Sequence, residues 1–476
     1  MLAKDFHVAI LGAGIAGCSI ALRFAELGIR CSLIEKGEYL VNGPPICHLH
    51  AGGNLYREIS DQQCLSLLKQ SIDTVKAYPQ CVNHRPTVIA LPKNDKGKPA
   101  DLLNRLNKLQ QRYAELIEED ASNEVLGKAD GYYQIFERKD LEALCLLDNL
   151  AQPKTASEWM RPVAKQLDFS QLQFPLLVVQ EYGLSAFRFS AISSLALEQL
   201  ESCEVLTSAE VLAVKPIADD RWQLSLRDQD IDCDFVINAC GFRSGVIDDM
   251  LAKPRKRMVE FKAAYVAKWQ EAQQGKANSP WPEVIFYGDR GTPQGMAQLT
   301  PYPQGYYQLH GMTKDITLFK NGLVGSDAHS AQPQLDKGFI EKINHQWPKE
   351  VMQQRSDAAI EHMAQFIPQF STATMAAAPL YGAQQIPGED PDLRASDVSF
   401  AGKNYARTEI VKASSAIAAA DEILKQLQLH HGLHLEQPLQ THFFPVTQAL
   451  NPNRVNKLAE EIAIQRNYPG ALAQVF

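Results

Sequence analysis

The stretch Asp5 to Lys36, DFHVAILGAGIAGCSIALRFAELGIRCSLIEK, constrains the chain more than any other. His7 to Leu11 is a short apolar run leading into glycine, the pattern of a buried parallel strand. Gly12, Gly14 and Gly17 then form G-x-G-x-x-G. Ile15 to Leu27 carries apolar residues at helical spacing, with Gly28 as the stop signal. Cys31 to Ile34 reads as a second buried strand, and Glu35 stands at its end. Each residue type has a physical task. Gly12 permits a tight turn, Gly14 lets backbone approach a pyrophosphate, and Gly17 lets helix and strand pack closely. The first helical turn, Ile15 and Ala16, offers free N–H groups and the positive end of the dipole to that anion. Glu35 lies 23 positions after Gly12, where a carboxylate accepts hydrogen bonds from ribose hydroxyls, with Lys36 beside it. A plain βαβ unit would need no acid at that point. The segment therefore predicts a Rossmann-type dinucleotide site.

A chain of 476 residues is too long for one simple core and suits two or three domains. A net charge of -8 argues against a broad nucleic-acid footprint, so no nucleic-acid partner is expected. Nine cysteines without CxxC pairs suggest reduced thiols rather than a disulfide framework. No apolar run approaches the ~20 residues that span a bilayer. The N-terminus runs straight into the first strand without a signal-peptide pattern. A cytoplasmic location is the expectation, with peripheral membrane contact left open. The sequence sets no oligomeric state.

Three further segments carry information. Cys47 to Tyr56 holds two histidines, paired glycines and an asparagine, including His48 and His50-Ala51-Gly52. Asp234 to Gly241, DFVINACG, is an apolar strand ending in small residues, and Ala239 and Gly241 would let backbone approach a ligand. Val398 to Arg407, VSFAGKNYAR, reads as an apolar strand to Gly402, then a loop with Asn404, then a helix from Thr408 to Leu427.

Together with the glycine loop, these segments resemble the D-amino-acid-oxidase-like FAD oxidoreductases, nearest in motif to L-2-hydroxyglutarate and malate:quinone oxidoreductases. The resemblance implies FAD as cofactor and hydride transfer from a substrate C–H bond to flavin N5. It implies that a loop like His50-Ala51-Gly52 runs along the flavin, and that Val211 holds the adenine with backbone atoms. It implies that the small-residue end of the middle strand lies beside the adenosine. It places the last segment, with Gly402, Asn404 and Arg407, near the flavin pyrimidine, where a helix N-terminus stabilises negative charge. His48 or His50 would carry the flavin in a covalently attached variant.

The implied fold class is α/β (α+β overall). A discontinuous Rossmann-like FAD domain of glutathione-reductase type, residues 1–60, 176–250 and 371–428, interleaves with a substrate domain, residues 61–175 and 251–370. Residues 429–476 form a helical tail, with a surface helix over Asn453 to Arg466. The substrate domain is expected to be built on an antiparallel sheet. Phe261 to Trp269, Trp281 to Tyr287, Gln298 to Tyr302 and Tyr306 to His310 alternate with Pro and Gly turns.

A small substrate bearing a carboxylate would be gripped by arginine, whose planar fork gives two parallel charge-assisted bonds. Arg57, Arg290 and Arg407 are the candidates. His48, His50 and His310 are candidate bases, since imidazole titrates near working pH. His310 has a plain alternative as a hydrogen-bonded strand residue. The function expected is oxidation of a small hydroxy or amino acid, by a dehydrogenase or an oxidase whose electron acceptor the sequence does not name. A flavin monooxygenase using NAD(P)H is a second reading and would make Asp327 a flavin contact. However, Leu323 to His329 lacks the Gly-Asp adjacency of that motif. A flavoprotein of RNA modification or of partner-enzyme maturation is a third. His430, His431 and His434 lack a carboxylate or cysteine spaced to complete a metal site, so no metal is expected.

Overall fold

The computed structural model describes residues 6–43, 59–218, 220–270, 279–345, 347–391, 393, 396–434 and 444–475. His48, His50, Ala51, Gly52 and Arg57 lie outside the described residues.

Val8–Leu11 and Cys31–Ile34 are strands joined by the helix Ile15–Glu26. They lie side by side and parallel, in register from Val8 opposite Cys31 to Leu11 opposite Ile34. The full sheet has six strands, in the order Asp397–Phe400, Tyr405–Glu409, Phe235–Asn238, Val8–Leu11, Cys31–Ile34 and Cys203–Leu206. All neighbours are parallel except the first pair. The first strand is fully buried because helices cover one face and a meander covers the other. That meander is Ala213–Pro216, Trp222–Ser225 and Asp230–Cys233.

The second sheet has ten strands. Its spine runs Leu323–Gly325, Arg257–Lys268, Tyr306–Gly311, Ala297–Tyr302, Glu283–Phe286, Thr87–Ala90, Leu176–Val179 and Tyr133–Phe136. Leu380–Pro387 also pairs along Arg257–Lys268. The expected antiparallel character holds apart from one pair. Glu283–Phe286 runs parallel to Thr87–Ala90, because the two come from distant parts of the chain rather than from a hairpin.

Two strands expected in the first unit belong here instead. Leu176–Val179 pairs with Thr87–Ala90 and Tyr133–Phe136, and Leu380–Pro387 pairs with Arg257–Lys268. The helix Asp61–Ala77 goes the other way. Thr74 donates to the Ser414 carbonyl at 3.3 Å, and Ser415 donates to Gln70 Oε1 at 2.7 Å. It therefore packs beside the helix Ala416–His431.

The two faces of the second sheet see different cores. Phe261, Ala263, Tyr265 and Leu309 point outward, into a core shared with the helices Ala156–Gln166 and Lys349–Ala364. Ala264, Val266, Ile285, Met296 and Tyr287 point inward, into the core that contains Ile10, Leu33 and Ile237 of the first sheet. The sheet thus presents one face to the dinucleotide-type unit.

A buried charge network ties the two units together. Arg257 and Arg255 donate from Nε to the two oxygens of Glu409 at 2.8 and 2.9 Å. Arg257 also pairs with Asp248, and Arg407 Nε reaches Asp248 Oδ1 at 2.6 Å. The side chains of Arg257, Asp248 and Glu409 are sealed from solvent. Removing one partner of a buried pair leaves the other uncompensated. Asp248→Asn is therefore expected to lower stability by about 3–5 kcal/mol. Lys256→Gln, which breaks an exposed pair with Glu389, is expected to cost less than about 1 kcal/mol. Urea unfolding of the two variants checks the contrast.

Candidate active site

Gly12 turns the chain with φ +94°. A Cβ there would stand 2.7 Å from the Ala239 carbonyl oxygen, and a Cβ on Gly17 would stand 1.9 Å from the Gly12 carbonyl oxygen. Strand, helix and the end of Phe235–Asn238 therefore meet at backbone distance. A Cβ on Gly14 would meet nothing within 4 Å. Gly14 is also the N-cap of the helix and supplies no capping side chain. The N–H groups of its first turn, at Ile15 and Ala16, are left to an anion.

Glu35 is bound to the loop it serves. Its Oε2 accepts from Ala13 N and its Oε1 from Gly37 N, both at 2.8 Å. Each carboxylate oxygen keeps a further lone pair for a ribose hydroxyl. Lys36 follows, exposed. Ala209 N donates to Glu35 O at 2.9 Å, which brings Val211 alongside, half-buried. The donors, the acid and the open side at Gly14 together fit a dinucleotide such as FAD.

Gly12, Gly14, Ile15, Ala16, Gly17, Glu35, Lys36, Ala239 and Gly241 all gather at the carboxyl ends of the parallel strands. That is the side where open α/β sheets take ligands, beside the strand at which chain order reverses. Gly402 and Asn404 do not join them, contrary to expectation. Asp397–Phe400 and Tyr405–Glu409 form a hairpin, with Gly402 and Asn404 in its turn. Tyr405–Glu409 is parallel to Phe235–Asn238 and begins opposite Val236, so the turn sits at the amino ends, across the sheet from the glycine loop. The Asn404 carbonyl accepts from Val236 N and Trp222 Nε1, both at 3.0 Å, and acts as a strand brace.

Arg407 is also corrected. Its guanidinium is held by Asp248 and by the Lys253 carbonyl at 3.2 Å, and it is 4% exposed. That fork serves the charge network rather than a substrate carboxylate. The segment that leaves the carboxyl end of the last parallel strand is Ile410–Lys412, leading to the helix Ala416–His431.

His310 lies across the interface, on the inward face of the second sheet. It stands directly opposite Gln298, and Gln308 stands opposite Thr300. These four residues form a two-by-two polar block on the face that also carries Ala264, Val266, Ile285 and Met296. Gln298 donates to Glu283, which in turn binds Arg85 at 3.1 Å. Tyr302 donates to Gln308 Oε1 at 3.2 Å. Thr300 Oγ1 and Gln308 Nε2 have no hydrogen-bond partner among the described residues. The period-two spacing of Gln298 with Thr300, and of Gln308 with His310, was the available sequence signal for all four.

Beside the block lies a charged cluster that sequence reasoning found only in part. Arg290 pairs with Glu260, and Lys262 Nζ binds Glu260 Oε2 and Gln384 Oε1, both at 2.8 Å. Gln384 Nε2 donates to the Val411 carbonyl at 3.0 Å. The cluster therefore touches the segment before the helix Ala416–His431. Burial pushes the Glu260 carboxyl up, but Lys262 and Arg290 outweigh it and hold it below the usual range.

Asp327 is exposed and caps its own turn, accepting from His329 N at 2.7 Å and Ser330 N at 3.0 Å. It follows the edge strand Leu323–Gly325 of the second sheet rather than the glycine loop. Among the described residues no group of His, Cys, Asp and Glu is arranged for a metal ion. No described helix is long and apolar enough to cross a membrane.

A parallel sheet with a glycine loop, facing one side of a large mixed sheet, defines a dinucleotide-dependent oxidoreductase of two interleaved units. The family model for FAD dependent oxidoreductases (DAO) matches residues 7–403, so the chain belongs to that family and FAD is its cofactor. No curated protein matches the sequence. Among solved structures it is similar to glycine oxidase from Geobacillus kaustophilus, at 11% identity over 94% of this chain and 100% of that one, with TM-score 0.55. It is similar to the glycerol-3-phosphate dehydrogenase from Bacillus halodurans complexed with FAD, at 13% identity over 99% and 74%, with TM-score 0.57. L-proline dehydrogenase from P. horikoshii is similar at 14% identity over 94% and 98%, with TM-score 0.53. At these identities the likeness shows the fold.

Two predictions follow from the geometry. Gly17→Ala forces helix and strand apart and is expected to lower stability by about 1–3 kcal/mol. Gly14→Ala, whose methyl meets open space on the pyrophosphate side, is expected to keep stability and lose FAD affinity. Thermal unfolding and FAD titration separate them. The second concerns Glu260, whose folded pKa is depressed. Its stabilisation is full above about pH 4.3, the unfolded value, and is lost as pH falls through the folded pKa. The stability gap between the wild type and Glu260→Gln is therefore expected to be wide at neutral pH and to shrink in acid. Urea midpoints across pH measure it.

Proposed function

We propose that this FAD-dependent oxidoreductase oxidises a small carboxylate-bearing hydroxy or amino acid, held between the cofactor and the inward face of the second sheet. The observation that carries this reading is the polar block Gln298, Thr300, Gln308 and His310. It faces the dinucleotide unit beside Ala264, Val266, Ile285 and Met296, and Thr300 Oγ1 and Gln308 Nε2 have no hydrogen-bond partner among the described residues. Polar groups in such a place cost free energy unless a ligand or a protein group satisfies them.

FAD, when bound, supplies the hydride acceptor for the substrate C–H bond. The chain's residues do the rest. The glycine loop and Glu35 fix the cofactor. Thr300 and Gln308 offer hydrogen bonds that orient the substrate. Arg290 and Lys262, both paired with Glu260, bring cationic groups to the edge of the block, of the kind that suits a substrate carboxylate. His310, half-buried on the same face, accepts the proton from the hydroxyl or ammonium group. The reading as a monooxygenase loses its residue, because Asp327 lies on an exposed edge.

The test is anaerobic mixing of the holoenzyme with a panel of small hydroxy acids and amino acids, following bleaching of the flavin absorbance. Bleaching by a member of the panel supports the reading. Bleaching by NADPH alone would overturn it in favour of the monooxygenase. With a substrate in hand, His310→Gln is expected to retain FAD and to slow reduction by about 10²–10⁴-fold, the usual worth of a positioned base.

A further inference from the structure

We propose that the C-terminal segment Pro452–Val475 is a clasp on the FAD site, and that Arg466 is its positioning residue. The inference rests on the assignment of FAD to the glycine loop.

The helix Pro452–Gln465 was expected on the surface. It lies there, with Arg454, Lys457 and Glu461 exposed, and its other face buries Val455, Ala459, Ile462 and Ala463 in the core shared by both units. At its end Arg466 turns inward. The guanidinium donates to three successive carbonyls, Val41 at 3.3 Å, Asn42 at 3.0 Å and Gly43 at 3.0 Å. Its carbon lies 5.3 Å from the centre of the Phe187 ring. No carboxylate pairs with it among the described residues, so those carbonyls are its main electrostatic partners.

The segment it holds needs holding. Val41 has φ +56°, a left-handed conformation that is strained for a β-branched residue. Its N–H donates to the Ala13 carbonyl at 2.7 Å. Ala13 stands between Gly12 and Gly14. The preceding carbonyl, Leu40, accepts from Ser190 Oγ at 2.7 Å. Every carbonyl from Leu40 to Gly43 is therefore bonded to a side chain, three of them to Arg466. One end of this strained segment braces the glycine loop and the other is set by the arginine fork. Two residues on, Tyr468 donates to the Pro379 carbonyl at 3.0 Å, at the start of Leu380–Pro387 in the second sheet. The clasp thus grips both units.

A lysine keeps the charge of Arg466 but cannot reach three carbonyls with one planar fork. In the full-length chain, Arg466→Lys and Arg466→Met are both expected to raise the Kd for FAD by about tenfold, roughly the worth of one charge-assisted hydrogen bond. Fluorescence quenching reads the Kd. An unchanged Kd in either variant overturns the clasp, and so does wild-type affinity in the lysine variant alone. Should the variants fail to fold, hydrogen exchange on the wild type decides. FAD is expected to slow exchange in peptides covering Tyr39–Gly43 and Ala463–Tyr468 together, and protection of the first without the second overturns the proposal. A wild type that binds no FAD would sink the cofactor assignment instead.

Discussion

The contact on which the rest depends is the approach of Gly17 and Ala239 to Gly12. Backbone meets backbone there, with no room for a side chain on either glycine. This fixes the start of the helix Ile15–Glu26 against the ends of two parallel strands. The N–H groups of the first turn then point where chain order reverses, and Glu35 is drawn onto Ala13. A dinucleotide site is the consequence of that crossing, because the fixed amides and the acid are already aimed before any ligand arrives.

The second constraint is electrostatic. Asp248 accepts from Arg407 and Tyr405 and also pairs with Arg257, while Glu409 accepts from Arg257 and Arg255. These groups are buried where the last parallel strand meets the long strand of the second sheet. A network of this kind is weak evidence for net stability. Its directional bonds do set register between the two units, which apolar packing leaves looser.

Sequence legibility followed the range of the contacts involved. The first βαβ unit was readable because its strands, glycines, helix and acid interact within one continuous stretch. The last FAD-side strand was not. Tyr405–Glu409, YARTE, is fully buried yet carries an arginine and a glutamate. Their partners, Asp248 and Arg257, lie more than a hundred positions away, so periodicity read the stretch as loop and helix. The apolar run before it looked like the buried strand and proved to be the outer arm of a hairpin. Leu176–Val179 was recognised as a strand but assigned to the wrong sheet, since pairing partners are set by long-range register. The polar block had a local signal, alternation in two adjacent strands. Which face turns toward the dinucleotide unit required the fold.

Hydride transfer is sensitive to small misplacements of donor and acceptor, and in the proposed function the cofactor side and the substrate side belong to different units. Apolar burial would hold the units together but is non-directional and tolerates sliding. The directional links that cross the interface include three among the described residues: Glu409 to Arg255 and Arg257, Val411 to Gln384, and Tyr468 to Pro379. Three non-coincident links restrain rotation as well as translation. Two of the three meet the strand Tyr405–Glu409 or the short segment after it, and the third comes from the C-terminal tail. The tail and the misread strand therefore share one task. They hold a sheet face and a glycine loop in a single relative position.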